Sequence, residues 1–163
     1  MNEATKPNSI LDTLLNHHDF KEGALWQRRH YEPNTTVFSE GDRGRDVYLI
    51  VKGTVRVQGS VDLDAKRQIR PGFSDLGEGE VFGELALFDN HPRSASVSTV
   101  TACDLIAIDG DQLMQFLDTH PDLGYPLFKA LILILVGRLR QADRKIFGLF
   151  AWGLKARGID KYL

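Results

Sequence analysis

Cysteine is almost absent. Cys103 is the only one among 163 residues, so no internal disulfide can form and burial has to hold the fold. Long apolar runs are missing too. The longest, Leu131–Val136 (LILILV), sits between Lys129 and Arg138 and falls far short of the roughly 20 residues that span a bilayer. Met1–Asp19 has neither the positive n-region nor the apolar h-region of an export signal, and the expected setting is a reducing cytoplasm. Net charge is scarce, −2, so global electrostatics demand no nucleic-acid or membrane partner. No metal-ligand spacing and no glycine-rich loop of the hydrolytic type stands out. The expectation is therefore no metal, no cofactor and no catalysis. His17, His18, His30, His91 and His120 are scattered along the chain, and the pair at 17–18 reads as an exposed polar helix end.

What is present suffices for one domain with a real core, since 42% of the residues are hydrophobic and 26% charged. Ser9 is a candidate N-cap, and Ile10, Leu11, Leu14 and Leu15 then recur at helical spacing. From Gly23 to Ile108 short β-rich runs take over: Thr36–Phe38, Val47–Val51, Thr54–Val57 and Asp104–Ile108. Turn signals such as Gly41-Asp42, Gly59-Ser60, Pro71-Gly72 and Asn90-His91-Pro92 separate them, a pattern that suggests a sandwich or barrel. After Asp109-Gly110-Asp111 the period becomes helical, with a short helix over Gln112–Thr119, a His120-Pro121 break and a long helix from about Leu123. Phe128, Ile132, Leu135, Leu139, Ala142, Ile146 and Leu149 are spaced 4-3-4-3-4-3 on it. Such a seam fits a helix lying on its own barrel and a helix paired with a second copy equally well.

Chemistry concentrates in Phe82-Gly83-Glu84-Leu85-Ala86-Leu87, followed by Arg93-Ser94-Ala95. Gly83 lets the backbone approach a ligand closely, and a helical turn beginning there would aim N–H groups outward, as an anion requires. Arg93 can grip a phosphate with two parallel hydrogen bonds, Ser94 can add a hydroxyl, and Glu84 can accept from a sugar hydroxyl. On these residues alone, a plain Glu84–Arg93 ion pair closing a turn is the simpler account.

A second block changes that balance. Val37-Phe38-Ser39-Glu40-Gly41-Asp42-Arg43-Gly44, then Val47-Tyr48-Leu49-Ile50 and Gly53, precedes the Phe82–Leu87 stretch with Arg93-Ser94-Ala95, Val97 and Thr99. In both blocks and in their order, Leu25 to about Arg144 resembles the cyclic-nucleotide-binding domain family. That family is shared by bacterial transcription activators of the catabolite-activator type, protein-kinase regulatory subunits and nucleotide-gated channels. The resemblance implies a mainly β fold with flanking helices (α+β). It would be an antiparallel β-roll or jelly-roll barrel over 23–110, with a short N-terminal helical segment in 1–22 and long C-terminal helices in 111–163.

The resemblance also implies a ligand, cyclic AMP or cyclic GMP. Glu84 would hold the ribose 2′-hydroxyl and Arg93 the cyclic phosphate. The Phe82–Ala86 backbone at Gly83, Leu85 and Ala86, with Ser94 and Ala95, would complete the cradle. Val57, Phe73 and Ser74 on strands, and Arg140 and Asp143 on the last helix, are candidates for the base. The activators offer Thr-Ser to adenine from that helix, whereas Ala142-Asp143 stands here, which leaves the choice of nucleotide open. A cyclic dinucleotide is an alternative ligand, and a ligand-independent interaction module on the same fold is an alternative function.

Activators of this family carry a winged helix-turn-helix after the dimer helix. Only Ile146–Leu163 follow here, so sequence-specific DNA binding is not expected, and output would pass to an unidentified protein effector or through a homodimer over 128–149. Gly137–Leu163 carries Arg138, Arg140, Arg144, Lys145, Lys155, Arg157 and Lys161 against Asp143 and Asp160, with Phe147, Phe150 and Trp152 interleaved. A membrane surface could receive such a tail, but a solvated helix face or a subunit interface is the commoner meaning. Cys103, in an alternating strand, reads as a small core residue.

Overall fold

The computed structural model describes residues 7–64, 67–69, 72–89 and 91–157. Of the turn and tail residues named above, Pro71, Asn90, Asp160 and Lys161 lie outside the described residues. Ten strands follow in chain order: β1 (Trp26–Tyr31), β2 (Thr36–Phe38), β3 (Val47–Lys52), β4 (Val55–Gln58), β5 (Val61–Asp64), β6 (Arg67–Ile69), β7 (Gly72–Leu76), β8 (Val81–Phe82), β9 (Ser96–Thr99) and β10 (Cys103–Ile108). Eight of them form two antiparallel four-stranded sheets, ordered β1-β10-β3-β8 and β2-β9-β4-β7, and β5 pairs with β6 as a hairpin.

The continuous apolar runs of β3 and β10 have a simple cause. Successive side chains on a strand point to opposite faces, and here both faces are covered. Tyr48, Ile50, Cys103, Leu105 and Ala107 join Val55, Leu76, Phe82 and Val97 between the sheets. Val47, Leu49, Ile106 and Ile108 face the other way, onto Leu11, Leu14, Leu113, Phe116, Leu117, Leu127 and Leu131 of the helices. Each fully buried aliphatic side chain contributes about 1.5–3 kcal/mol, so this double-sided sheet is the main source of cohesion.

Helix α1 (Pro7–Leu15) begins with Pro7, ahead of Ser9, because proline suits the first helical position. Helix α2 (Gly110–Thr119) is capped by Asp109, whose carboxylate accepts from the Gln112 N–H at 2.9 Å. That cap moves its start ahead of Gln112. The break at His120-Pro121 is present, and α3 (Pro121–Ala156) runs for 36 residues from it. Its buried stripe is Gly124, Leu127, Ala130 and Leu131, with Ile134 packed alongside. The heptad seam lies elsewhere: Ile132, Leu139, Ile146 and Leu149 are 56, 64, 61 and 69% exposed. Leu135 is half-buried, and the own-barrel reading of the seam fails at Ile132, Leu139, Ile146 and Leu149. Among the described residues, no helix is long and apolar enough to cross a membrane.

Candidate functional site

β8 stops at Phe82, whose ring stacks on Tyr48 at a centroid distance of 5.0 Å and is fully buried. The chain then turns through Gly83 at φ 78°, a left-handed conformation. A Cβ there would lie 2.9 Å from both the Asp46 carbonyl oxygen and Arg93 Nη1, so glycine is required twice over. Glu84–Leu87 form a short 3-10 turn, which buries Glu84, Ala86 and Leu87 and exposes Leu85. The Ala86 N–H points back at the Gly83 carbonyl, at a long 3.4 Å.

Arg93 belongs to the loop before β9. Its backbone is tied to the upstream glycine block, donating to the Asp42 carbonyl at 2.9 Å and accepting from the Gly41 N–H at 2.9 Å. The guanidinium donates from Nη1 to the Gly83 carbonyl at 3.1 Å and from Nη2 to the Asp46 carbonyl at 2.8 Å. Below it lies the Phe38 ring, 4.3 Å from the guanidinium carbon. Arg93 is 7% exposed, and burial pulls its pKa below the ordinary arginine value. Among the described residues no carboxylate pairs with it. The groups in direct contact with the guanidinium are neutral, and the Asp46, Asp42 and Glu84 carboxylates act on it only at longer range; a buried cation so placed costs several kcal/mol, roughly, unless an anion joins it.

Glu84 does not pair with Arg93, so the simple turn-closing ion pair is absent. Its carboxylate, 4% exposed, accepts instead from Arg138 Nη1 at 2.6 Å. Arg138 comes from α3 and also donates from Nη2 to the Val81 carbonyl. One helical span further on, Lys145 donates to the Phe73 carbonyl. In the sequence Arg138 reads only as one charge of the basic tail. The signal was available, since Leu127, Leu131, Ile134 and Arg138 continue one helix stripe at 4-3-4 spacing.

Arg140 and Asp143, the helix residues expected at the base, are both exposed. Each lies two positions, roughly 200° of helix rotation, from Arg138 or Lys145, the residues that reach the barrel. Val57 and Ser74 face each other across the β4–β7 ladder and are half-buried. Phe73 alternates to the opposite face, is 47% exposed and covers Gly59, where a Cβ would come within 2.0 Å of its ring. Ser94 is exposed beside Arg93, and Ala95 is half-buried. Arg45 fastens the cradle to the helices. It donates to the Ala86 and Leu87 carbonyls at 3.0 Å each and pairs with Asp111 of α2 at 2.5 Å.

Residues 28–120 match the family described as Cyclic nucleotide-binding domain. The chain belongs to the cyclic-nucleotide-binding domain family. It is 30% identical over 114 residues to the CRP-like cAMP-activated global transcriptional regulator of Mycobacterium tuberculosis, covering 70% of this chain and 47% of that protein. The chain thus spans about half the length of the curated relatives it matches. Among solved structures it resembles the Thermus thermophilus Catabolite Activator Protein (TM-score 0.67, 27% identity, 88% of this chain and 63% of that one). It also resembles the c-di-GMP responsive global regulator CLP of Xanthomonas campestris (TM-score 0.65, 32% identity, 76% and 58%). The fold is the catabolite-activator-like cyclic-nucleotide-binding fold, and the family is one of regulators.

Proposed function

We propose that this protein is a non-enzymatic sensor that binds a cyclic nucleoside monophosphate, cyclic AMP or cyclic GMP, in the Glu84/Arg93 cradle and signals through α3. The observation that carries this reading is Arg93. A guanidinium buried against carbonyls and an aromatic face, with no carboxylate paired to it among the described residues, is a site held open for an anion. Ser94 and the backbone of Gly83, Leu85, Ala86 and Ala95 border it. Glu84 takes the ribose hydroxyl on the oxygen that Arg138 leaves unused, since a carboxylate has two. Val57 and Ser74 border the base, with Lys145 above in place of Arg140 and Asp143. Residues 23–110 act as the sensor and 111–163 as the output.

The exposed seam supports a homodimer over 128–149, with an unidentified protein effector reading the helix in the cytoplasm. Sequence-specific DNA contact is not part of this reading. A ligand-independent scaffold would have no use for the intact Gly83, Glu84 and Arg93 cradle. A second ligand class is kept for one reason, the likeness to a regulator described as c-di-GMP responsive. Calorimetry with cyclic AMP, cyclic GMP and cyclic di-GMP tests all of this. Saturable binding of a cyclic mononucleotide, weakened about tenfold or more by Arg93→Ala through loss of a charge-assisted phosphate contact, is the expected result. No heat with any of the three at high micromolar concentration, or unchanged affinity in the variant, sinks the proposal.

A further inference from the structure

The histidines that look scattered in sequence do not stay scattered in the fold. His17, His18 and Asp19 follow α1, and one ligand atom from each lies within 4.8 Å of the others. His18 Nε2 is 2.9 Å from Asp19 Oδ2, in contact with solvent. A third histidine arrives from a hundred residues away. His120, at the α2–α3 break, has its ring 5.0 Å from that of His17, which in turn is 4.5 Å from that of His18.

Two features prepare these groups as ligands. His120 Nδ1 lies 2.9 Å from the Phe116 carbonyl, and a carbonyl only accepts, so Nδ1 carries the proton and Nε2 keeps its lone pair. Metal-binding imidazoles are typically oriented by such a bond on the far nitrogen. The His120 ring is also fixed by stacking on Phe116 at 4.0 Å and 13°. The His17–Asp19 loop is pinned at both ends, by the His17 N–H to Leu14 and by fully buried Phe20, whose N–H donates to the His17 carbonyl at 3.0 Å. The His17 ring meets the Phe116 ring edge-on at 5.4 Å, and its Nδ1 accepts a long 3.3 Å bond from the Asp19 N–H.

We propose that His17, His18, Asp19 and His120 form a site for a divalent transition-metal ion of the zinc class, joining the α1–β1 loop to the root of α3. Three imidazoles and one carboxylate match the nitrogen and oxygen ligands and the fourfold coordination that zinc prefers. Magnesium and calcium, which favour oxygen-only shells, do not suit this set. Metal binding here restrains the break from which α3 departs and needs no nucleotide, so it stands apart from the cradle at Glu84 and Arg93.

The test uses the full chain without an affinity tag, stripped of metal, at pH 7.5. Calorimetric titration with zinc chloride is expected to show one saturable equivalent at micromolar concentration, and magnesium chloride none. His18→Ala, at an exposed position, and His120→Ala should each weaken zinc binding about tenfold or more, while His91→Ala, remote from the cluster, should leave it unchanged. Melting curves without metal confirm that the variants fold. Absence of saturable zinc binding overturns the proposal, and so does binding that survives either His18→Ala or His120→Ala.

Discussion

The Glu84–Arg138 pair can be measured by a double-mutant cycle, and its geometry sets the answer. Exposed ion pairs contribute about 0.2–1 kcal/mol, and removing one partner of a fully buried pair costs about 3–5 kcal/mol. Here the carboxylate is 4% exposed and the guanidinium 32%, so the coupling should exceed the exposed-pair value and lie at about 1–3 kcal/mol, within the range of contacting residues. The two single changes should differ. Glu84→Gln leaves an arginine that swings into water, whereas Arg138→Met strands a buried carboxylate and should cost more. Urea unfolding of the parent, the two single variants and the double variant, all without nucleotide, isolates the pairwise contribution. Coupling below about 0.5 kcal/mol, or an Arg138→Met cost no larger than that of Glu84→Gln, would refute the reasoning.

Two other perturbations follow from the same geometry. Gly83→Ala must hold a left-handed φ of 78° and place a Cβ 2.9 Å from the Asp46 carbonyl, costing about 2–4 kcal/mol in all; calorimetric melting that matches the parent would contradict it. Tyr48 is pushed to about 12, first by burial and then by Asp46, while the unfolded chain releases this proton near about 10. The folded state therefore binds more protons between these values, so stability is whole below about pH 10 and falls by about 3 kcal/mol as pH rises toward about 12. Denaturant midpoints against pH should show that fall, and Tyr48→Phe should flatten it.

Four of the ten strands, β2, β3, β4 and β10, are legible because turn signals and β-branched runs bound them, whereas polar strands such as β1 (Trp26–Tyr31) carry no apolar run to mark them. Val47–Val51 and Asp104–Ile108 fall on β3 and β10 almost residue for residue. Helix starts differ by two or three residues, since local features decide them: the Asp109 cap of α2 and Pro121 at the first position of α3 act where a hydrophobic pattern alone suggests Gln112 and Leu123. The cradle segment was legible as a segment, but its pairing was not. Glu84 and Arg93 are near in sequence, whereas the partner of Glu84 is 54 residues away, and only the path of α3 brings it there. The same path turned Arg140 and Asp143 outward, a difference of two residues that a helix converts into opposite faces.

Arg93 and Arg138 tie to different parts of the molecule. Among the described residues the hydrogen bonds and ring contact of the Arg93 guanidinium are with the barrel, at Gly83, Asp46 and Phe38, so an anion bound there alone would gain no contact that differs between two positions of α3. Ligand shifts an equilibrium only through such a difference. Arg138 supplies one, because its bonds to Glu84 and Val81 exist only while α3 lies across the β8 end of the barrel. Lys145 adds another at Phe73. In the proposed binding mode the phosphate would anchor the ligand, and the sugar and base, meeting Glu84 and the β4–β7 edge, would be the parts able to set the helix.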